Sequence, residues 1–334
     1  MKVLVTGGGG FLGRHIVDLL LKRGDMVRIL GRSPQPDLVA RGVRVVQGDV
    51  SDFAAVEAAA KDSDAVFHVA AKAGVWGAQA DYFNANVFGT RNVIEACRRH
   101  SVRYLVHTST PSVVFNGHSF QCADESLPYG TQFLCHYAAT KAQAEREALA
   151  AHQPKRLDIC ALRPHLIWGV GDPHLLPRVI HQAKQRRLRI VGAGTNRVDI
   201  THVANAAAAH LAALDALKRG VAGGKAYFLS QGEPVSLWPW INSLLAQLDL
   251  PKVTRTISAR TAYHLGSLLE IYWRITRRAG EPPMTRFVAV ELSKDHWFNI
   301  AAAQRDLGYT PSVSTENGLA DYVAHLRAQE KQAP

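Results

Sequence analysis

The 334-residue chain is poor in cysteine, methionine and aromatic side chains, with four Cys, three Met and aromatics at 8%. Cys97, Cys122, Cys135 and Cys160 show neither a zinc-ligand spacing nor the density of a disulfide scaffold, so reduced thiols and a cytoplasmic protein are expected. No apolar run is long enough to span a bilayer, and there is no internal repeat or low-complexity tract. Met1–Thr6 runs straight into a glycine cluster, so no signal peptide is expected. Among the 15 histidines no pair has a helical ligand spacing with a third carboxylate or thiolate nearby, and no metal is expected.

Acidic residues are also scarce relative to basic ones, leaving a formal charge of +11. Nucleic-acid binders concentrate such charge on one face, whereas here Lys and Arg are scattered, with denser patches only at Lys184–Arg189 and Arg274–Arg278. Nucleic acid is therefore not an expected partner. An anionic cofactor, an acidic substrate or an acidic surface suits the balance. Hydrophobic content of 47% with 20% charged residues suffices for a substantial core.

The first half alternates β-branched runs with helical stretches. Val3–Thr6, Val27–Leu30, Val43–Val46, Ala65–Val69, Tyr104–His107 and Leu157–Leu162 read as strands. Phe11–Arg23, Phe53–Ala60, Tyr82–Arg99 and His136–Ala151 read as helices. This rhythm predicts an α/β fold, a Rossmann-type doubly wound parallel sheet, with ligands at the carboxyl ends of the strands. After Arg163-Pro164 prolines punctuate shorter pieces. A dinucleotide-binding domain over 1–165 is expected, followed by a smaller, mainly substrate-binding lobe over 166–334. Segments near 197–230, including the alanine-rich helix Thr201–Lys218, are expected to pack back on the first.

Thr6-Gly7-Gly8-Gly9-Gly10-Phe11-Leu12-Gly13 joins the first strand to the first helix. Gly7 permits the tight turn, Gly10 lets backbone approach a pyrophosphate, and Gly13 lets helix and strand pack closely. The N–H groups at Phe11 and Leu12 open the helix toward an anion. Where an acid would grip a ribose 2′-hydroxyl, the second strand ends in Leu30-Gly31-Arg32-Ser33. The missing carboxylate and the added guanidinium of Arg32 favour the 2′-phosphate of NADP over NAD. Asp49 and Val50 follow the third strand, where a carboxylate can accept from adenine. Ala70 and Ala71 follow the fourth, leaving room for ribose and diphosphate.

Tyr137-Ala138-Ala139-Thr140-Lys141 sets a phenol and an ammonium one helical turn apart on one face. The phenol's reference pKa is about 10, and a neighbouring ammonium is expected to lower it. A hydroxyl near the end of the fifth strand, from Thr110 or Ser109 with Ser112 as a third candidate, would bond a substrate carbonyl.

These motifs resemble the extended short-chain dehydrogenase/reductase superfamily, in its 3β-hydroxysteroid dehydrogenase-like branch. The resemblance extends to Asn86-Val87-Phe88-Gly89-Thr90, to Leu162–Gly169 and to Asn196–Asn205. It implies Tyr137 as general acid/base, Lys141 as its helper, Thr110 or Ser109 as carbonyl donor, and Pro164 and His165 along the nicotinamide. Thr108–Phe115 and Asp124–Tyr129 are similar to the bacterial 2-alkyl-3-oxoalkanoate reductases of long-chain olefin biosynthesis. That similarity implies NADPH-dependent reduction of a long-chain acidic substrate, a homodimer, and assembly with a β-lactone synthetase and a β-lactone decarboxylase. The sterol-4α-carboxylate 3-dehydrogenases share most of the motifs. A regulator that senses NADPH without chemistry is the non-enzymatic alternative, against which the retained Tyr137 and Lys141 argue.

In the second half Ala262, Leu265, Leu268, Leu269, Tyr272 and Ile275 make a helical apolar stripe ending in Arg274, Arg277 and Arg278. It suits a core face, a lid over an acyl chain, a partner or a membrane surface. Val75-Trp76-Gly77 is expected to form part of a substrate wall.

Overall fold

A computed structural model describes residues 1–332. Seven parallel strands form the central sheet: β1 (Lys2–Thr6), β2 (Met26–Gly31), β3 (Arg44–Gln47), β4 (Ala65–His68), β5 (Tyr104–Thr108), β6 (Asp158–Pro164) and β7 (Ala226–Leu229). Their order is β7-β6-β5-β4-β1-β2-β3, so the chain reverses its direction of travel between β1 and β4. Such a switch point opens a crevice beyond the carboxyl ends of the strands.

The helices that matter for the site are α1 (Phe11–Lys22), α2 (Phe53–Ala60), α3 (Gly89–Arg99), α4 (His136–Ala150), α5 (Val203–Lys218) and α6 (Ala259–Thr276). Alternation along the strands divides the core between the two faces of the sheet. Val3, Val5, Phe67 and Val106 pack against Ile16 and Leu20 of α1 and Ala206, Ala213 and Leu214 of α5. Leu4, Val66, Leu105 and Ile159 point the other way, into Val56, Val93, Ile94 and Ala148 of α2, α3 and α4. The alanines of α5 leave little side-chain bulk between it and the sheet.

The edge strand β7 comes from residues 226–229 and pairs with β6 from Ala226↔Ala161 to Leu229↔Pro164. The expected helix over 82–99 is divided: Gln79–Tyr82 is α-helical, Phe83–Phe88 is a π-helical turn, and α3 follows. A wide turn of this kind inserts one residue into the helical register and commonly accompanies function.

A second, four-stranded sheet pairs Val235–Ser236, Arg197–Val198, His296–Phe298 and Phe120–Ala123 in that order, and two further two-stranded pairs join Ile167–Trp168 to Thr201–His202 and Ile190–Val191 to Thr256–Ile257. Thus a strand from the first half completes the sheet of the second lobe. Trp168, Leu176, Trp238, Trp240, Ile241 and Leu244 form that lobe's own core. Between the lobes Phe115, Phe120, Phe228, Phe287 and Phe298 make a shared aromatic cluster, with Phe228 stacked on Phe298 at 4.2 Å. None of the described helices is long and apolar enough to cross a membrane.

Candidate active site

β1 ends at Gly7, whose φ of +70° favours glycine. Its N–H donates to the Leu30 carbonyl at 2.8 Å, and its own carbonyl accepts from Gly10 N–H at 2.9 Å. A Cβ on Gly7 would lie 2.9 Å from Ala70 Cα, and one on Gly13 would lie 2.1 Å from the Gly7 carbonyl oxygen. Strand, turn and helix therefore pack backbone to backbone. Gly10 is exposed and caps α1 with no side chain, leaving the first N–H groups, at Phe11, Leu12 and Gly13, without intrahelical partners. Unpaired donors at the positive end of a helix dipole fit a pyrophosphate.

At the end of β2 the Arg32 side chain is exposed and takes no part in a hydrogen bond or ion pair among the described residues, while its carbonyl accepts from Gln47 at 3.0 Å. Arg14, one turn into α1, donates to the Gly9 carbonyl at 3.1 Å and pairs with Gln35 and Asp37. The first guanidinium is thus free for an anion; the second is tied to an acid. Asp49 closes its own turn, accepting from the Ser51 N–H at 2.9 Å and hydroxyl at 2.8 Å. Burial opposes its charge, but the Ser51 donors outweigh it and hold the carboxyl below its usual value. The Val50 carbonyl accepts from Asn92 Nδ2 at 2.9 Å, and Ala71 is exposed.

Tyr137 lies on the first turn of α4, against the apolar cluster of Phe115, Phe287 and Val75. The structure brings Thr110 to it: the Thr110 hydroxyl favours the ionised phenol, yet burial dominates and pushes Tyr137 up to about 12. Lys141 is buried one turn on, and its ammonium donates to the Thr108 carbonyl at 2.6 Å. Burial brings Lys141 down to about 8, with Glu145 working in the opposite direction. The expected lowering of the tyrosine by lysine is not found: desolvation raises the phenol, Cys135 works the same way, and Thr110 alone opposes them. Thr110 also donates to Ser112 Oγ at 3.2 Å. Ser109 stands apart: its N–H bonds the Leu162 carbonyl at 2.6 Å, and its hydroxyl is buried with no hydrogen-bond partner among the described residues.

Several supports were not legible in the spacing. Asn86, in the π-helical turn, clamps the Lys72 backbone, accepting at 2.8 Å and donating at 3.2 Å, and donates to Thr140 Oγ1 at 3.0 Å. Since Thr140 lies between Tyr137 and Lys141, this one amide ties the catalytic helix to the loop after β4. Thr6 Oγ1 joins His68 Nδ1 at 2.8 Å, and His68 Nε2 joins Thr90 Oγ1 at 3.0 Å. Burial and the Lys141 charge bring His68 down to about 3, so it is a neutral strut between β1, β4 and α3. Arg163 of β6 holds Glu145 of α4 by donations of 3.0 and 3.1 Å from Nε, and Tyr129 donates to the same carboxylate at 2.8 Å.

Pro164 ends β6 beside the crevice, whereas the His165 ring turns into the second lobe. His296 Nε2 lies 2.8 Å from the Glu291 carbonyl, which can only accept, so that nitrogen carries a proton and Nδ1 accepts from His165 Nε2–H at 2.5 Å. His165, His296 and Glu291 together bring metal-ligand atom types within 4.8 Å of one another, but the imidazole contact is closed by hydrogen bonds. Burial and His296 hold His165 well below its usual value. Its ring is spent on joining the lobes, and its backbone is engaged too: the N–H donates to the Leu229 carbonyl at 3.1 Å and the carbonyl accepts from Thr201 Oγ1 at 2.7 Å.

A cavity of about 450 Å³ lies between the lobes, lined by Phe115, Phe133, Leu134, Phe287 and Val290, with Tyr263 of α6 and Ala138 of the catalytic helix. Asn116, Gly117 and Gln132 complete its wall, so it is within the size range of small-molecule sites and mixed polar and apolar in character. Val75 belongs to the adjoining cluster and Trp76 to its rim, where the Trp76 carbonyl accepts from Tyr82 at 2.9 Å.

Residues 4–259 match the model of the 3-beta hydroxysteroid dehydrogenase/isomerase family. The chain is 50% identical over 323 residues to the 2-alkyl-3-oxoalkanoate reductase of Stenotrophomonas maltophilia, spanning 96% of this chain and 97% of that one. It is 44% identical over 330 residues to the protein of the same description from Shewanella oneidensis, spanning 96% and 85%. Identity falls to 32% over 354 residues with the Arabidopsis thaliana 3beta-hydroxysteroid-dehydrogenase/decarboxylase isoform 1, spanning 98% and 81%. Among solved structures, MoeE5 in complex with UDP-glucose and NAD superposes with a TM-score of 0.77 at 27% identity, over 99% of this chain and 100% of that one.

Proposed function

The chain belongs to the 3-beta hydroxysteroid dehydrogenase/isomerase family, and from that premise we propose that it uses NADPH to reduce a 2-alkyl-3-oxoalkanoic acid to the 2-alkyl-3-hydroxyalkanoic acid in long-chain olefin biosynthesis. The observation that carries the reading is Tyr137, with Thr110 close to it and Lys141 one turn on, carried on a helix whose Ala138 lines the cavity between the lobes, at the end of a sheet whose glycine loop leaves the N–H groups of Phe11 and Leu12 unpaired. Arg32, exposed and unpaired where an acid would select NAD, supports the NADP preference. The acidic substrate suits a chain of charge +11. Four unpaired cysteines suit the cytoplasm. The reading carries with it the homodimer and the association with a β-lactone synthetase and a β-lactone decarboxylase that the resemblance implies.

When bound, the nicotinamide supplies a hydride to the ketone carbon. The chain's part is the proton and the geometry. Thr110 donates a hydrogen bond to the ketone oxygen, and Tyr137 transfers its phenolic proton to that oxygen as negative charge develops on it. Because burial holds the phenol protonated at neutral pH, Tyr137 is poised as an acid, the direction that reduction requires. The resulting phenolate then regains a proton from solvent. Lys141, held at Thr108 one turn from the phenol, has the helper's part that the resemblance implies, its positive charge stabilising the phenolate once the proton has left. Phe115, Phe133 and Phe287 keep water from the reacting carbonyl and receive the alkyl branch.

With NADPH and a 2-alkyl-3-oxoalkanoic acid, the purified protein should consume the reduced cofactor, and kcat/KM with NADPH should exceed that with NADH. Turnover of NAD with a 4α-carboxysterol and none of the β-keto acid would replace this reading by the sterol one.

The Lys141 charge gives a pH dependence. The ammonium is present below about 8 and lost above it. Since the charged form stabilises the phenolate, kcat/KM for ketone reduction should be level near neutrality and decline through an alkaline limb near that value. Lys141→Arg, which keeps its charge throughout this range, should remove the limb whatever its effect on the plateau. A limb unchanged in the arginine variant would assign the titration elsewhere.

A further inference from the structure

Helix α6 is apolar on two sides. Its inner side is complete: Ala262, Gly266 and Glu270 are buried, and a Cβ on Gly266 would lie 2.6 Å from the Thr285 carbonyl carbon. Glu270 there accepts from Arg286 N at 2.7 Å and Nε at 2.9 Å. With 3.6 residues per turn, positions 265, 268, 271, 272 and 275 fall on the opposite side. All five are large and exposed: Leu265 by 42%, Leu268 by 66%, Ile271 by 48%, Tyr272 by 49% and Ile275 by 77%. Scattered apolar residues need no explanation, but a contiguous stripe opposite an already satisfied face does.

The charges around the stripe identify its cover. Arg260, Arg274, Arg277 and Arg278 are exposed, while the helix's only acid, Glu270, is buried and paired with Arg286. Arg274 lies over the Trp76 ring at 5.7 Å and Arg278 over the Trp273 ring at 5.2 Å, so the C-terminal end of the stripe is flanked by cation–aromatic pairs. The nearest acid beyond the helix, Glu281, is paired with Arg178 at 2.7 Å, and an apolar stripe with Trp at its margin on a helix whose exposed charges are all cations is the pattern of a helix lying in a membrane interface. A second copy docked face to face about a two-fold axis would bring an all-cationic patch against itself. The same helix supplies Tyr263 to the wall of the 450 Å³ cavity. One element thus separates the cavity from the outer stripe.

We propose that α6 docks this protein on the surface of an anionic phospholipid bilayer, with Leu265, Leu268, Tyr272 and Ile275 among the upper acyl carbons and Arg274, Arg277 and Arg278 at the phosphates. The helix lies along the surface and does not cross it. The surface itself carries this inference, whichever ketone the active site reduces.

The test is sedimentation of the full-length protein with phosphatidylcholine vesicles, with and without phosphatidylglycerol. Binding should require the anionic lipid and weaken as salt is raised. Neutralising Arg274, Arg277 and Arg278 together to Gln should weaken it on the order of a hundredfold. Leu268→Ser with Ile275→Ser should also release the protein, without altering turnover of a short, water-soluble ketone. Equal recovery with both vesicle types, or none with either, overturns the proposal. So does a change in lipid-free sedimentation coefficient from dimer to monomer in the Leu268/Ile275 variant, which would give the stripe to a second copy. Should that variant fail to fold, the lipid and salt dependence of the unaltered protein still decides.

Discussion

Replacing Tyr137 with Phe should reduce kcat by about 10²–10⁴-fold, the range associated with loss of a positioned general acid. Cofactor binding should remain within about twofold of the original, since only a hydroxyl is removed and every ring contact stays. The surroundings make this a clean substitution. The ring packs in an apolar cluster with Phe115, Phe287 and Val75, which a phenylalanine fills equally well. Thr110 keeps Ser112 as its hydrogen-bond acceptor at 3.2 Å. A thousandfold loss corresponds to about 4 kcal/mol of transition-state stabilisation. Fluorescence titration with NADPH and single-turnover kinetics separate binding from chemistry. A variant that reduces the ketone at an undiminished rate would remove Tyr137 from the mechanism.

The parts of this site visible in the sequence are those whose physics is local. A glycine that must adopt positive φ, a glycine where a helix meets a strand, and a Tyr and Lys one turn apart are each set by residues within a few positions. The strands β1, β2, β4 and β5 were equally legible, because buried parallel strands are short, continuous β-branched runs. Strand β7 was not, because Ala226–Leu229 gains its identity from pairing with β6, sixty or more residues away in the chain. The strands of the second lobe are two to four residues long and carry no period to read. Asn86 was visible within its motif, but its role depends on a π-helical turn that brings it to Lys72 and Thr140 together. The upward shift of Tyr137 was missed for a related reason. Adjacency in a helix reveals the charge of Lys141, whereas desolvation comes from Phe115, Phe287 and Val75, residues from three other segments.

The largest expected stability effect lies behind the site. Glu145 and Arg163 are 0% and 3% exposed and join α4 to β6, with Tyr129 completing the carboxylate's hydrogen bonds. Arg163→Met alone should destabilise the protein by about 3–5 kcal/mol, because it leaves Glu145 charged and buried with only a phenol for company. The double replacement Glu145→Leu, Arg163→Met should recover much of that loss, since it removes both buried charges while keeping most of the volume. Urea unfolding of the two single variants and the double variant measures the coupling, and additive losses would show that the pair is not a unit. The double variant also tests the assignment of the alkaline limb. Glu145 stands one turn beyond Lys141 and favours its ammonium, against the burial that brings it to about 8. With the carboxylate gone, desolvation acts unopposed, the lysine loses its proton at lower pH, and the limb should move toward neutrality. A limb that stays in place in a folded double variant would mean that Lys141 is not the group being titrated.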